Sequence, residues 1–417
     1  MLDKSLFLID TTAFCYRAFY ALSGLATSSG QPTNAIYGFL NILKKILKVQ
    51  KPDYLICCFD VSRDTFRVKK FAEYKIQRPP MPDGLTSQIP IIKEIIEAYG
   101  IPIYEKKGFE ADDIIAELAR LGAAKSMRVT IVSSDKDILQ LVNKHTVVFN
   151  PHKDKGVLYD LAKVKERFGV TPERIVDIIA LAGDDADNIP GVPGIGEKTA
   201  ARLILDYGSL DKILNNLSRI QPDKIKQAIS EHIQRIKLNK ELVDLHERLG
   251  LKLDLKKAKV KEPDYAELSR IFKKLEFKSL LKDLPLEENK AVQVKLHGCD
   301  SAELKDLLAN SEELALYGSS TDDLFFSIDG KFFSGVSAGK DLRRAITEGK
   351  IKKTGHDLKK LKVSLFKEGL ILNGLDFDIM IAAYLLNPSR ASYALTDLVL
   401  ENLGEFIRDE GLQTRMG

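Results

Sequence analysis

Short, wholly apolar runs alternate with amphipathic stretches over the first third of the chain. LFLI (6–9), YLICCF (54–59) and VTIV (129–132) have the length and content of strands buried in a parallel sheet. Between them, residues 35–49, 85–99 and 112–122 carry the one-sided apolar pattern of surface helices. The alternation predicts an α/β layer. From about residue 171 to 285 the pattern turns helical and basic, as in KIKQAISEHIQRIKLNKELVDLHERLG and FKKLEFKSLLKDL. LPLEENKAV (284–292) is polar, carries a proline and reads as a linker. From about 292 a second α/β pattern follows, with strand-like ELALYG and LFFSI and helix-like KDLRRAI and FDIMIAAYLL. The expected organisation is therefore 1–170, an α/β domain; 171–284, a helical region belonging to it; 285–291, a linker; and 292–417, a further α/β domain.

Composition narrows the function class only a little. A chain of 417 residues with 44% apolar and 29% charged residues is ordinary for a soluble protein of two or three domains. A net charge of +4 does not announce a polyanionic partner, so local clustering has to make that case. Cys15, Cys57, Cys58 and Cys299 show neither zinc-ligand spacing nor a disulfide framework, which fits a reducing cytosol. The sequence shows no signal peptide and no run of the ~20 apolar residues that a membrane span needs. A cytoplasmic protein with no membrane partner is expected.

The chemistry is carried by acids. Each early apolar run ends in one: Asp10 after LFLI, Asp60 after YLICCF, and Asp135 and Asp137 after VTIVSS. Ligands of open α/β sheets bind beyond the carboxyl ends of the strands, so these acids could share one crevice. GFEADDIIAELA adds Glu110, Asp112 and Asp113 at a helix start, and GDDADN adds Asp184 and Asp187. Any one cluster is ordinary turn or helix-cap chemistry; four at corresponding places are harder to dismiss. Carboxylates without histidine or cysteine are hard ligands suited to Mg²⁺ or Mn²⁺. Two such ions ~4 Å apart would relieve the repulsion and clamp a displacement at phosphorus. A phosphodiester substrate is implied.

Basic and aromatic residues flank the acids. FCYRAFYAL sets Arg17 among Tyr16, Phe19 and Tyr20, and DTFRVKKFAEYKIQRPPMP supplies Arg67, Tyr74, Lys75 and Arg78. Lysine and arginine neutralise phosphate, and tyrosine can stack on an unpaired base. A solvated loop is the plainer alternative. Beside the acid clusters, phosphate contact is the expected role of Lys75 and Arg78, followed by Arg17 and Arg67. GVPGIGEKTAARLILDYG reads as a tight hairpin opening a helix near Glu197, where free N–H groups can grip a phosphate and Gly194 and Gly196 allow close approach.

Taken together and in this order, LIDTTAFCYRAFYAL, CCFDVSRDTFR, EYKIQRPPMP, GFEADDIIAELA, SSDKDILQLV and GDDADNIPGVPGIGEKTA resemble the 5′-nuclease domains of the bacterial DNA polymerase I family, members of the flap endonuclease family. The resemblance covers roughly residues 6–284. It implies a parallel-sheet, PIN-like 5′-nuclease fold with a helix-hairpin-helix region. It implies that Asp10, Asp60, Glu110 and Asp112 hold one Mg²⁺ or Mn²⁺ ion and that Asp135, Asp137, Asp184 and Asp187 hold or support a second, with Asp113 close by. Asp185 stands where the family often has a small polar residue and is not expected to be a ligand. Lys75 and Arg78 match residues that steer the scissile phosphate, with Asp10 and Asp60 as the central catalytic acids and Tyr74 beside them. Gly191, Gly194, Gly196 and Lys198 match the hairpin that tracks the duplex, where a monovalent cation is a further expectation.

The implied reaction is metal-dependent hydrolysis of DNA at a 5′ end or 5′ flap, including RNA-DNA primer junctions, by a monomer in the bacterial cytoplasm at the nucleoid. A catalytically silent DNA-binding module and a metal-dependent phosphatase are the alternatives. The segment KKTGHDLKKLKVSLFKEGLILNGLDFDIMIAAYLLNP is similar to the ribonuclease-H-like 3′–5′ exonuclease domain. Tyr317, Ser319 and Leu361 fall where that family has acids, and Asp378 is expected to serve a helix start. A partial, inactive domain acting as a spacer is implied. No polymerase palm or finger motif is present, and a piece of a longer polymerase is the favoured expectation.

Overall fold

The computed structural model describes residues 4–151, 156–245, 248–285, 301–320, 323–334, 339–388 and 392–403. The chain divides into two compact units, Met1–Leu284 and Pro285–Gly417. The expected linker lies, from residue 286 on, outside the described residues, as does Cys299.

The first unit is built on a six-stranded sheet in the order β3-β2-β1-β4-β5-β6. Its strands are β1 (Ser5–Asp10), β2 (Tyr54–Phe59), β3 (Ile103–Glu105), β4 (Arg128–Val132), β5 (Thr146–Asn150) and β6 (Val157–Tyr159). β1 to β5 are parallel, and β6 closes one edge antiparallel to β5. The three apolar runs are the three central strands. Leu6, Leu8, Ile56, Cys57, Val129 and Ile131 are completely buried, because helices cover both faces. β3 and β6 escape the sequence pattern because they have three residues each and are only partly buried; β5 is mostly buried, but its apolar run VVF is only three residues long.

The expected amphipathic helices are observed at Asn34–Lys45, Ile89–Ala98 and Ala111–Ala124. Beyond residue 171 the unit is helical, apart from a two-stranded ribbon of β7 (Gly183–Asp184) and β8 (Ile189–Pro190). The ribbon and its following turn separate the helices Ile175–Ala182 and Glu197–Tyr207. Gly183 and Gly191 lie back to back in it: a Cβ on Gly191 would come within 2.1 Å of the Ala182 carbonyl oxygen.

The second unit holds a five-stranded sheet, β11-β10-β9-β12-β13. These strands are β9 (Glu313–Gly318), β10 (Leu324–Ile328), β11 (Lys331–Ser334), β12 (Lys352–Gly355) and β13 (Leu375–Asp378). β9 to β11 form an antiparallel meander, and β12 and β13 run parallel to β9. Leu314, Leu316, Phe326, Phe333, Leu361 and Leu365 form its core. Phe377, expected within a helix, lies in β13 instead, while Asp378 serves the helix start as expected, capping the helix Ile379–Leu386 with its side chain.

Candidate active site

In the first sheet the chain leaves β1 toward β2 and β3 on one side and toward β4 and β5 on the other. The switch point between β1 and β4 opens a crevice at the carboxyl ends of the strands, and the acids gather there. Asp10 ends β1, Asp60 follows β2, and Asp135 and Asp137 follow β4. Glu110 and Asp112 enter from the start of the helix Ala111–Ala124, and Asp184 and Asp187 from the ribbon. Asp10, Asp137, Asp184 and Asp187 are buried, Asp112 and Asp135 half-buried, and Asp60 opens to solvent.

A local hydrogen-bond frame holds these carboxylates. Asp10 accepts from Ser133 Oγ at 3.0 Å and from the Ala13 N–H at 3.3 Å, capping the helix Thr11–Ala21. Asp60 accepts from the Ala111 N–H at 2.7 Å, and its own N–H donates to Thr12 Oγ1. The Asp137 N–H donates to Asp135 Oδ1 at 3.0 Å, and the Asp135 N–H to Ser133 Oγ. Ser133 and Thr12 are residues to which the sequence reading assigned no role. Ser133 was nonetheless visible as the serine two positions before Asp135.

Electrostatically the crevice is strained. Burial and the charge of Asp60 push the Asp10 carboxyl up to about 7. Asp112 lies well above the usual carboxylate range through burial, then the charges of Asp10 and Asp135. Burial also raises Asp135, and it lifts Asp137 well above its ordinary value, with Asp135, Asp184 and Asp187 adding to the effect. One oxygen of Asp137, Oδ1, is buried without any hydrogen-bond partner. Mutually repelling carboxylates with an orphaned lone pair fit a hard divalent cation by their donor chemistry. Yet among the described residues no three such side chains are gathered into a ready-made cage for an ion.

The cations among these acids are instead the protein's own. Lys75 Nζ lies 3.0 Å from Glu110 Oε1 and 3.4 Å from Asp187 Oδ2. Burial pulls the Lys75 ammonium down, but Glu110 and Asp187 outweigh it and raise it on balance. Its backbone adopts a left-handed conformation (φ 52°) and donates to the Asp187 carbonyl at 3.0 Å. Arg78 Nη2 meets Asp187 Oδ1 at 2.7 Å. Lys136, a further residue without an expected role, pairs with Asp184 at 3.2 Å. Its position between Asp135 and Asp137 was the available signal.

Four expected contacts are corrected. Arg67 is not free to touch phosphate: it is 1% exposed. Its guanidinium grips both oxygens of Asp113 at 2.7 Å and reaches Glu110 at 3.3 Å, and its Nε donates to the Leu242 carbonyl at 2.6 Å. Asp113 is thereby spent, since it also accepts from the Glu110 N–H, and it is not an available ligand. Tyr74, buried like Arg67, cannot stack on a base; its hydroxyl donates toward Glu110 at 3.0 Å and Asp187 at 2.9 Å. Gly191 serves the packing against Ala182. For Arg67, Asp113 and Tyr74 only the tertiary contact decides which side is covered.

Other candidates face solvent. Arg17 is exposed on its helix, and Asp185 points outward. In the hairpin, Val192 and Ile195 are buried anchors, while Gly194, Gly196 and Lys198 are exposed. Gly194 has φ +83°, a conformation that favours glycine, and a Cβ at either glycine would meet nothing. In the second unit, Asp378 accepts from the N–H groups of Leu358, Met380, Ile381 and Asp357. Leu361 is core, and Ser319 donates to Asp323.

Comparison with known proteins agrees with this layout. Residues 5–169 match the family model described as the 5′-3′ exonuclease N-terminal resolvase-like domain, and residues 170–266 the 5′-3′ exonuclease C-terminal SAM fold. Residues 320–407 match the DNA polymerase I ribonuclease H-like domain. A 5′-3′ exonuclease of Aquifex aeolicus is 44% identical over 281 residues, which is 67% of this chain and 95% of that protein. The DNA polymerase I of Caldicellulosiruptor bescii is 37% identical over 413 residues, covering 95% of this chain and 48% of that protein. The chain thus spans about half the length of the DNA polymerase I relatives it matches. Among solved structures, a bacteriophage T5 flap endonuclease in a complex with DNA and metal ions shares the fold. Its TM-score is 0.50 at 20% identity, covering 67% of this chain and 97% of that one. With the parallel sheet, the acid-lined switch point and the hairpin already in place, these matches mean that the chain belongs to the 5′-3′ exonuclease family.

Proposed function

We propose that this chain hydrolyses DNA phosphodiesters at a 5′ end or at the base of a 5′ flap, RNA-DNA primer junctions included, using divalent ions bound in the switch-point crevice. The observation that carries the reading is the gathering of buried carboxylates there, with Asp10 lifted to about 7 by burial and Asp60. Asp10, Asp60, Glu110 and Asp112 would hold one Mg²⁺ or Mn²⁺ ion, and Asp135, Asp137, Asp184 and Asp187 a second. When bound, such ions supply charge neutralisation and an activated water.

The chain's own contribution is positional. Lys75 and Arg78, now paired with Glu110 and Asp187, are the basic groups that would face the scissile phosphate and stabilise the charge that develops on it. The exposed Gly194, Gly196 and Lys198 would track the duplex backbone at a distance from the crevice set by the ribbon. The second unit lacks acids at Tyr317, Ser319 and Leu361 and would not cut.

The deciding experiment incubates the protein with a 5′-flap duplex and Mg²⁺, beside Asp135→Ala and Asp187→Ala. Metal-dependent cleavage near the junction, lost in both variants, is expected. Tight binding without cleavage, or hydrolysis of a small phosphomonoester alone, would refute the proposal.

A further inference from the structure

Ser133 stands where the two halves of the crevice meet. It is the first residue past β4, and its N–H still donates to the Phe149 carbonyl of β5 at 3.3 Å, so the sheet holds its backbone. The register of β1 against β4 pairs Ile9 with Val132, which sets Asp10 beside Ser133 one step further on. The serine is 1% exposed.

Its Oγ makes two bonds. It accepts from the Asp135 N–H at 3.1 Å and lies 3.0 Å from Asp10 Oδ2. A hydroxyl has one hydrogen and an N–H can only donate, so that hydrogen points to Asp10. The Asp137 N–H in turn donates to Asp135 Oδ1 at 3.0 Å. A head-to-tail run therefore leads from Asp137 through Asp135 and Ser133 to Asp10. It joins Asp10, of the first ion set, to Asp135 and Asp137 of the second. Lys75 and Tyr74 also join the two sets, through Glu110 and Asp187. Lys75 does so with a charge that an incoming ion would have to displace. Ser133 is neutral. It uses one lone pair of Asp10 and the Ala13 N–H, at 3.3 Å, uses another. A carboxylate has about four, so about two are left for a cation.

Two ions ~4 Å apart need their carboxylates at a fixed spacing, yet the carboxylates repel one another until the ions arrive. A neutral donor anchored in the sheet supplies that spacing beforehand. Groups that orient metal ligands in this way are worth about 10- to 100-fold in affinity.

Resting on the two-ion reading of the crevice, we propose that Ser133 is a positioning residue whose hydroxyl holds Asp10 and Asp135 in register for the divalent ions. The test titrates Mn²⁺ into the full chain without DNA and reads free Mn²⁺ by electron paramagnetic resonance. It compares wild type with Ser133→Ala, with Ser133→Thr, which keeps the hydroxyl, and with Ser133→Val, which has threonine's shape without it. The Thr and Val variants carry the same added bulk, so its cost cancels between them. Melts in EDTA fix a temperature at which every variant titrated is folded. The Ala and Val variants are expected to bind Mn²⁺ about tenfold or more weakly, and the Thr variant within about threefold of wild type. A hydroxyl that only stabilises the fold would lower the melting temperature of the Ala and Val variants and leave their Mn²⁺ affinity unchanged. That result would overturn the role of Ser133 alone, as would equal affinity in the Thr and Val variants. Absence of Mn²⁺ binding by the wild type would instead overturn the two-ion reading, and this inference with it.

Discussion

The buried pairing of Arg67 with Asp113 makes a prediction that separates two roles for the arginine. Both side chains are at most 2% exposed, and the guanidinium makes two 2.7 Å bonds to one carboxylate and one of 2.6 Å to the Leu242 carbonyl. The carboxylate in turn holds the Glu110 N–H, at the point where the active-site helix begins. Removing one partner of such a pair strands a charge in the interior, which costs about 3–5 kcal/mol. At roughly 3 kcal/mol/M, the urea midpoint of the nuclease unit should fall by more than about 1 M in Arg67→Ala and in Asp113→Asn. The chain has no tryptophan, so the assay is helical circular dichroism. The double variant Arg67→Met/Asp113→Leu, which removes both charges, should recover most of the loss. If Arg67→Ala keeps its stability within about 1 kcal/mol of wild type while its affinity for DNA collapses, the structural role is wrong and a phosphate contact is right.

The other predictions concern the crevice and the hairpin. Asp10 has a folded value of about 7 against an ordinary 3.8, so the folded protein binds the extra proton between pH 4 and 7. Stability therefore falls as pH rises through that window. Thermal melts at pH 5 and pH 8 in EDTA should show a larger loss for wild type than for Asp10→Asn; parallel losses would contradict the assignment. Added Mg²⁺ should raise the melting temperature of wild type at pH 8 more than that of Asp10→Asn, as expected for an ion bound only by the folded state. An equal rise would place the ion elsewhere. Lys75→Ala should slow flap cleavage by about 10²-fold or more if its ammonium faces the developing charge. An unchanged single-turnover rate would remove it from that role. Gly191→Ala drives a Cβ to 2.1 Å from a backbone oxygen and should destabilise by about 1–3 kcal/mol, while Gly196→Ala meets nothing and should melt like wild type.

Local pattern carried much of this protein. The central strands announced themselves as apolar runs because they are buried on both faces, and the acids at their carboxyl ends were visible because they lie within three residues of those ends in sequence. Those two facts sufficed for the α/β class, the crevice and the carboxylates Asp10, Asp60 and Asp135. The strands β3, β5 and β6 were not legible, since an apolar run of three residues or fewer has no period distinct from a loop. Nor could the sequence say which basic residue answers which acid. Arg67 lies 46 residues from Asp113 and 175 from Leu242, and Tyr74 lies 113 from Asp187. A basic, aromatic loop looks alike whether it faces a phosphate or a buried carboxylate. Only the folded packing put Arg67 and Tyr74 inside and left Arg17 and Lys198 outside, because burial is decided by neighbours distant along the chain.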